Sequence, residues 1–257
     1  MSIGGLQKVS LIDFPAHIAA VVFTKGCNFV CPFCFNRSLV LGTVPTISQR
    51  TVLTFLQQRQ KLLDGVVITG GEPLLHDDLK MFLLAIKKMG YPIKLDTNGS
   101  LPDRLKKVLK KSLVDYLALD FKAPLDGRWN EAVGRSDFDF QIWQQSLKLL
   151  LDSGIPFELR TTVVPGIHDQ TVLREMGQQL AKLIGVNQVN RVNRVNRASG
   201  SSEVTRVLKP TWYWQNFQPG HCLDPQFDNH KPYSAAVLDD FLKTVKRCYS
   251  QIELRKY

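Results

Sequence analysis

Three cysteines lie within a stretch of eight residues, at Cys27, Cys31 and Cys34. Their thiolates are close enough to hold three corners of one iron–sulfur cluster. A cubane cluster has four irons, so one iron would lack a protein ligand and could bind a substrate or cofactor. Ferredoxins normally close the fourth corner with a further cysteine. The spacing therefore predicts a cluster that is left open for chemistry rather than built for electron storage.

A zinc site is the alternative for the same cysteines, with His221 or Cys222 as the fourth ligand. Zinc motifs usually pair two short cysteine knuckles, whereas only one cluster occurs among the five cysteines of this chain. A zinc protein or a closed cluster would place a fourth cysteine or histidine at ligand distance from the three thiols. A cluster with three cysteine ligands is the prediction that the spacing favours.

Strand-like and helix-like segments alternate along most of the chain. Short apolar runs typical of buried strands occur at 18–24, 65–69, 92–96, 116–120, 157–164 and 211–217. Helices are predicted at 47–63, 79–89, 101–111, 140–152, 171–184 and 234–248. This alternation predicts an α/β fold with a mostly parallel sheet. Polar or glycine-rich residues follow five of the strands, and ligands bind at the carboxyl edge in α/β barrels. The pattern predicts one site built from several loops.

The cysteine spacing, with the aromatic Phe33 just before the third cysteine, resembles that of the radical S-adenosylmethionine (SAM) enzymes. The resemblance implies a partial (β/α)6 barrel of the TIM type. It also implies one 4Fe–4S cluster per chain, held by Cys27, Cys31 and Cys34, with SAM on the open iron through its amino and carboxylate groups. In that family an electron from the reduced cluster splits SAM into methionine and a 5′-deoxyadenosyl radical, which abstracts a hydrogen atom.

The run Gly70-Gly71-Glu72-Pro73 matches the glycine-rich motif of the same family. Two glycines let the backbone approach a ligand closely, and Glu72 could accept a charge-assisted hydrogen bond from the methionine ammonium. A plain strand-to-helix turn, with Glu72 favoured by the helix dipole, is the alternative.

Three further strand ends complete the predicted site. Asp96 and Asn98 could bond ribose hydroxyls or the methionine carboxylate, or could simply form an Asx turn. Asp120 and Lys122 resemble the Asp-x-Lys feature that lies at the cofactor in glycyl-radical-enzyme activases, and a solvated ion pair is the alternative. Arg160 lies in an apolar strand and needs an anionic partner, either a cofactor carboxylate or a structural acid such as Glu72. The resemblance implies cofactor contacts at Phe33, Gly70, Gly71, Glu72, Asp96, Asn98, Asp120, Lys122 and Arg160. It implies catalytic roles for Glu72, Asp120, Lys122 and Arg160.

Apart from about residues 186–209, the chain resembles the activating proteins of anaerobic ribonucleoside-triphosphate reductases. The resemblance is carried by runs such as Leu-Asp-Thr-Asn-Gly at 95–99, Asp-Phe-Lys-Ala-Pro at 120–124 and Trp-Tyr-Trp-Gln-Asn-Phe at 212–217. It implies hydrogen abstraction from a backbone glycine of that reductase, with a flavodoxin- or ferredoxin-like reductant. Phe35 departs from the family, which usually has histidine there, and could alter hydrogen bonding around the cluster.

Other functions stay open at this point. A radical enzyme of the same fold could act on a small molecule, such as a purine-like heterocycle precursor, or could activate a pyruvate formate-lyase-like partner. A non-catalytic metal-binding or electron-carrier protein is the alternative from a different class. Little of the chain lies beyond the sixth strand to cap a small substrate, which favours an open mouth and a protein substrate.

Composition adds broader expectations. The chain carries a formal charge of +10 and 44% hydrophobic residues, which fits one basic globular domain over 1–257. The tandem Val-Asn-Arg repeat and the serine-rich residues after it predict a low-complexity surface insertion at about 186–209. We expect no direct nucleic-acid binding. The absence of a signal peptide and of a long apolar run predicts a cytoplasmic protein without a membrane partner.

Overall fold

The computed structural model describes the backbone of residues 1–199 and 209–255 and the side chains of residues 1–185 and 209–255. Eight described strands form one sheet that follows the order of the chain. Their bounds are β1 Ile3–Ser10, β2 Ala19–Thr24, β3 Gly65–Gly70, β4 Ile93–Thr97, β5 Tyr116–Asp120, β6 Phe157–Val163, β7 Thr211–Asn216 and β8 Ile252–Leu254. Strand β1 pairs antiparallel with β2, and β2 to β8 are parallel. Because β1 and β8 are the two ends of the order, the sheet is open.

The six predicted strands are β2 to β7, which confirms the α/β fold with a mostly parallel sheet. The two edge strands were not predicted from the sequence. Strand β1 contains Gly4 and Gly5, and glycine weakens a strand pattern. Strand β8 has only 3 residues, too few for an alternating pattern to stand out.

Helices follow most of the strands. The described α-helices are α1 Arg37–Val40, α2 Gln49–Gln58, α3 Leu79–Lys88, α4 Pro102–Leu109, α5 Gly127–Val133, α6 Phe140–Ser153, α7 Gln170–Ser199 and α8 Ala235–Lys246. Short 3-10 helices span Pro73–Leu75 and Pro225–Asn229. Helix α2 begins after Ser48, whose Oγ accepts the Thr51 N–H, and it ends earlier than the predicted 63. No described helix is both long and apolar enough to span a bilayer.

Helix α7 is longer than predicted. The sequence predicted a helix over 171–184, but the backbone is helical from Gln170 to Ser199 and so includes the Val-Asn-Arg repeat. A three-residue period matches neither the helical repeat of 3.6 nor the strand repeat of 2, so the sequence pattern gave no signal for this extension. The side chains of 186–199 and all of 200–208 lie outside the described residues, so the insertion at 186–209 stays a prediction.

One face of strands β4, β5 and β6 carries buried charged residues, whereas the core around it is apolar. Lys94 is paired in register with Tyr116, and Asp120 with Arg160. Residues two apart on a strand share a face, so Lys94 and Asp96 lie on the same side, as do Glu158 and Arg160. On β7, Trp212 and Trp214 are fully buried with their rings in edge contact, as expected for core packing.

Candidate active site at the carboxyl edge of the sheet

A cavity of about 410 Å³ opens at the carboxyl edge of the sheet. Each of the strands β2 to β7 contributes a lining residue from its end or from the loop directly after it. The predicted site residues that line it are Cys27, Cys31, Phe33, Cys34, Gly70, Gly71, Asp96, Asn98, Asp120, Lys122 and Arg160. Of the predicted set, Glu72 alone is absent from the lining. The strand-end motifs therefore do converge on one place.

The chain beyond β7 holds the cysteine loop. The Leu223 N–H donates to the Cys34 carbonyl at 3.0 Å, and the Asp224 N–H donates to the Pro32 carbonyl at 2.9 Å. This segment therefore returns to the cysteines and borders the mouth of the cavity. The expectation that little of the chain beyond the sixth strand caps a small substrate stays a prediction.

Of the three cysteines at the cavity, Cys31 is buried and Cys27 and Cys34 are half-buried. Burial raises the pKa of Cys27 to about 11 and that of Cys31 to about 12, and it also raises the pKa of Cys34. The Lys122 ammonium opposes this shift at each of the three sulfurs, which places its charge within electrostatic range of all of them. Because metals bind thiolates, a cluster must displace these protons when it forms.

The two glycines after β3 pack against the loop that leads into the cysteines. A Cβ on Gly71 would lie 1.8 Å from the Gly26 carbonyl oxygen, and one on Gly70 would lie 2.5 Å from the Thr24 amide nitrogen. The Gly71 N–H donates to the Thr24 carbonyl at 2.9 Å. Gly70 also has φ +109°, a conformation that favours glycine. The pair therefore sets the position of the cysteine loop in addition to lining the cavity.

Glu72 is fully buried beneath the cavity. Its Oε1 accepts hydrogen bonds from the Leu74 N–H at 3.0 Å and the Thr97 hydroxyl at 2.9 Å. Its Oε2 accepts the Asn98 N–H at 2.7 Å. Burial raises the pKa of Glu72 to about 7, although these three donors work against the shift. The carboxylate thus ties the loop after β3 to the loop after β4.

The side chain of Asn98 contacts the first cysteine and the residue after it. Its Nδ2 donates to the Cys27 sulfur at 3.7 Å and to Asn28 Oδ1 at 3.0 Å. Its Oδ1 accepts two hydrogen bonds from Ser100, one from the backbone N–H and one from the hydroxyl. The bond from the Ser100 backbone N–H to Asn98 Oδ1 has the form of the Asx turn that was the alternative from the sequence.

Arg160 is paired with two carboxylates. Its Nη1 lies 2.8 Å from Asp96 Oδ2, and its Nη2 lies 3.0 Å from Asp120 Oδ1. Lys122 Nζ lies 3.1 Å from the other oxygen of Asp120. The structural acid expected for Arg160 is therefore not Glu72, because Glu72 is held by the loops after β3 and β4.

These ion pairs keep the carboxylates charged. Burial would raise the pKa of Asp96, but the Arg160 and Lys94 cations outweigh it and lower the pKa to about 2. The pKa of Asp120 is also lowered, because Lys122 and Arg160 overcome its burial. At neutral pH the cavity wall thus carries two anions and two cations in alternation.

A second layer of charge lies deeper on the same face. Lys94 Nζ is 2.7 Å from Asp96 Oδ1 and 3.7 Å from Glu158 Oε1, and both Lys94 and Glu158 are fully buried. Glu158 Oε2 accepts hydrogen bonds from the Tyr116 hydroxyl and from Arg255 Nη2. A buried ion-pair network therefore supports the charged wall from below.

The lining also includes residues that sequence reasoning missed. Thr162 at the end of β6 and Asn216 and Phe217 at the end of β7 all line the cavity. Asn216 Nδ2 donates to the Tyr233 carbonyl at 2.8 Å, and its buried Oδ1 has no hydrogen-bond partner among the described residues. Their place directly after strands is the signal that could have identified them.

The cavity suits a zwitterionic ligand of cofactor size. Its volume falls within the range of about 300–1,000 Å³ that is usual for small-molecule sites. A ligand with an ammonium and a carboxylate matches the alternating charges of Asp96, Arg160, Asp120 and Lys122. The three sulfurs lie on the same cavity, so the residues present fit both an open-cornered cluster and SAM.

The zinc alternative lacks its fourth ligand in the described part of the chain. His221 is exposed and contacts the Phe35 ring edge-on, while Cys222 is buried, and neither lines the cavity. Among the described residues, no three histidine, cysteine, aspartate or glutamate side chains converge on a point where one metal ion could be bound. One zinc ion needs four ligands at a single point, whereas a cubane spreads its thiolates over separate irons.

Comparison with curated proteins points to one family. A model of the Radical SAM superfamily matches residues 21–176. The chain is 30% identical over 180 residues to a protein of Methanocaldococcus jannaschii named "Putative glycyl-radical enzyme activating enzyme", a match that covers 68% of this chain and 74% of the relative. A second protein of that name is 33% identical over 120 residues, covering 47% and 45%. A "Probable GTP 3',8-cyclase" of Saccharolobus solfataricus is 28% identical over 152 residues, covering 58% and 48%.

Solved structures share the fold. SuiB of Streptococcus suis, bound to the precursor peptide SuiA, superposes with a TM-score of 0.65 at 15% identity over 92% of this chain and 48% of that one. The complex of anSMEcpe with AdoMet and a peptide gives a TM-score of 0.51 at 16% identity over 87% and 56%. The chain thus spans about half the length of these structures and of the second M. jannaschii relative.

Proposed function

Given that the chain belongs to the radical SAM superfamily, whose members are enzymes that use a 4Fe–4S cluster and SAM, we propose that it installs a glycyl radical on a partner protein. The observation that carries the proposal is the convergence of three cysteine thiols and four charged side chains on one cavity. Sulfur ligands for the cluster and paired charges for a zwitterionic cofactor are the two requirements of this chemistry.

In this proposal Cys27, Cys31 and Cys34 hold one cluster by three of its corners. When bound, the cluster and SAM together supply a 5′-deoxyadenosyl radical that can remove a hydrogen atom. The chain holds the sulfurs at the cavity and places a cation beside them. Lys122 has this last role because it acts on all three thiols.

The remaining predicted residues would receive SAM. Lys122 and Arg160 attract its carboxylate, and Asp96 and Asp120 keep those two cations in place. Gly70 and Gly71 bring backbone to the cavity, and Phe33 offers an apolar surface. Asn98 acts through Cys27, and Glu72 acts as a positioning residue through Thr97 and Asn98 rather than by touching the cofactor.

We further propose that the partner is an anaerobic ribonucleoside-triphosphate reductase, with a flavodoxin- or ferredoxin-like protein as the reductant, in the cytoplasm. The names of two relatives support an activase. A second cavity of about 360 Å³ adjoins the first and shares Phe35 and Asn36 with it. The second cavity is lined by residues of α1 and by Gly220, so the two cavities together offer a protein partner a larger surface than the first alone.

A small-molecule substrate is the second candidate, and the likeness to GTP 3',8-cyclases favours it. The two functions share the cofactor site and differ in what enters the mouth of the cavity. A pyruvate formate-lyase-like partner is a variant of the first candidate.

Anaerobic reconstitution followed by electron paramagnetic resonance tests the proposal. The reduced cluster signal should change when SAM is added, and a glycyl doublet should appear on an anaerobic ribonucleoside-triphosphate reductase. Cys31→Ala should lose both signals. Formation of 5′-deoxyadenosine that depends on GTP, with no glycyl signal on the reductase, would instead establish the small-molecule function.

A further inference from the structure

Three consecutive backbone carbonyls, at the last residue of β5 and the two residues after it, each accept a hydrogen bond from a side chain elsewhere in the chain. The donors are Trp143 Nε1 to the Asp120 carbonyl at 2.7 Å, Thr161 Oγ1 to the Phe121 carbonyl, and His168 Nε2 to the Lys122 carbonyl at 2.9 Å. Because β5 ends at Asp120, the carbonyls after it leave the sheet and need other donors.

His168 is itself held rigidly. The residue is fully buried in the loop between β6 and α7, and its Nδ1 accepts the Val164 N–H at 3.1 Å. With Nδ1 acting as the acceptor, the ring proton is on Nε2 and points to the Lys122 carbonyl. The His168 carbonyl accepts the Tyr233 hydroxyl at 2.8 Å.

The same contacts connect two walls of the cavity. Tyr233 accepts the Asn216 side-chain amide through its own carbonyl, and Asn216 lines the cavity at the end of β7. Lys122 lines it at the end of β5. His168 does not line the cavity itself. It bonds directly to the Lys122 carbonyl and is connected to Asn216 through Tyr233.

We propose that His168 is a positioning residue that fixes the Lys122 ammonium at the cavity and thereby sets the affinity for SAM. The carbonyl carbon of Lys122 and its side chain are both bonded to the same Cα atom. A hydrogen bond that fixes the carbonyl therefore restricts the direction in which the side chain leaves the backbone. The inference rests on the proposed function in one respect, which is that Lys122 contacts the cofactor.

Two substitutions separate the two ring nitrogens of His168. The amide of His168→Gln can reach the Lys122 carbonyl, as Nε2 does. The shorter amide of His168→Asn can take the place of Nδ1 at Val164 but leaves the Lys122 carbonyl without its donor. Both variants replace the same buried ring by a smaller polar group, so they form a matched pair.

Hydrogen exchange on the cluster-free protein gives the first measurement. Amides from 120 to 126 should exchange faster in His168→Asn than in His168→Gln. In the reconstituted protein, the SAM dissociation constant should rise about 3- to 10-fold in His168→Asn, as expected for one lost hydrogen bond, and stay near the original value in His168→Gln. Lys122→Met should abolish the difference between the two variants, because the effect acts through that ammonium.

The outcomes distinguish this inference from the proposed function. Equal exchange rates and equal affinities in the matched pair would overturn the role of His168. If Lys122→Met alone leaves SAM affinity unchanged, the cofactor contact of Lys122 fails, and with it the inference. Should His168→Asn not fold, Tyr233→Phe removes the hydrogen bond that anchors His168 and should weaken SAM binding about twofold. An unchanged affinity in that variant contradicts the inference.

Discussion

The side-chain amide of Asn98 donates a hydrogen bond to the sulfur of Cys27 over 3.7 Å. This contact joins the loop after β4 to the first cysteine and gives a thiolate at that position a fixed donor. Hydrogen bonds to sulfur are one of the means by which proteins raise the reduction potential of iron–sulfur clusters. Asn98 thus influences the cluster site without being one of its ligands.

Asn98→Leu removes this donor while keeping a similar volume. We expect the midpoint potential of the reconstituted cluster to fall by about 40 mV, which corresponds to one hydrogen bond of about 1 kcal/mol in a one-electron couple. Redox titration measures it. Thr97→Val is the matched control, since Thr97 is equally buried beside Asn98 but bonds Glu72 and not a sulfur. A potential unchanged by Asn98→Leu would show that the contact has no electronic effect.

Gly71→Ala should displace the cysteine loop, because its Cβ would overlap the Gly26 carbonyl oxygen. We expect a loss of about 1–3 kcal/mol in the free energy of unfolding of the cluster-free protein and a lower iron content after reconstitution. Gly127→Ala is the control, since a Cβ there has no atom within 4 Å. If both variants take up iron equally well, the close packing of these two loops is not required.

Lys94→Met tests the buried charge network. The substitution leaves Asp96 with Arg160 alone and removes the cation facing Glu158. Removing one partner of a buried ion pair commonly costs about 3–5 kcal/mol, and chemical denaturation should show a loss of that size. Lys106→Met, at an exposed position of α4, should change stability by less than about 0.5 kcal/mol. Equal stability of the two variants would mean that the network contributes nothing to folding.

We expect the stability of the folded protein to depend on pH through His168. Burial lowers its pKa from 6.5 to about 4. Between these values the unfolded chain binds a proton that the folded chain does not, so stability rises with pH across the window and is lost as pH falls through it. Lowering the pH from 7 to 5 should cost about 2 kcal/mol through this residue.

The comparison with His168→Gln isolates that contribution. Glu72, with its raised pKa, has the opposite dependence over part of the same window, but it is present in both proteins and cancels. Denaturation of the cluster-free proteins at the two pH values should therefore show a smaller loss in the variant. An equal loss of stability in the two proteins would show that His168 is not the source of the pH dependence.

Local patterns in the sequence were sufficient to predict the central strands β2 to β7. They also predicted that the motifs after these strands meet at the carboxyl edge of the sheet. Cys27, Gly70, Asp96 and Asp120 each follow an apolar run, and parallel strands bring such positions together. The partners of each side chain depend instead on contacts between distant segments. The pairing of Arg160 with Asp96 and Asp120, rather than Glu72, depends on strand register.

The contact of His168 with Lys122 is even harder to predict from the sequence than the pairing of Arg160. Nothing in the run from Val164 to His168 indicates a contact with Lys122, 46 residues earlier. A single histidine in a loop has no periodic or motif signal, and its role becomes visible only when the loop after β6 is placed behind the end of β5. The edge strands β1 and β8 were missed for a related reason, because glycine content and shortness remove the alternating pattern on which strand prediction depends.

Transfer of deuterium from glycine to 5′-deoxyadenosine tests the central proposal most directly. An anaerobic ribonucleoside-triphosphate reductase labelled with α-deuterated glycine would be incubated anaerobically with the reconstituted protein, SAM and a reductant, and the 5′-deoxyadenosine analysed by mass spectrometry. We expect one deuterium in the product, in an amount that matches the glycyl radical, and none when the acceptor glycine is replaced by alanine. Unlabelled 5′-deoxyadenosine together with a reductase that carries no radical would contradict the proposal.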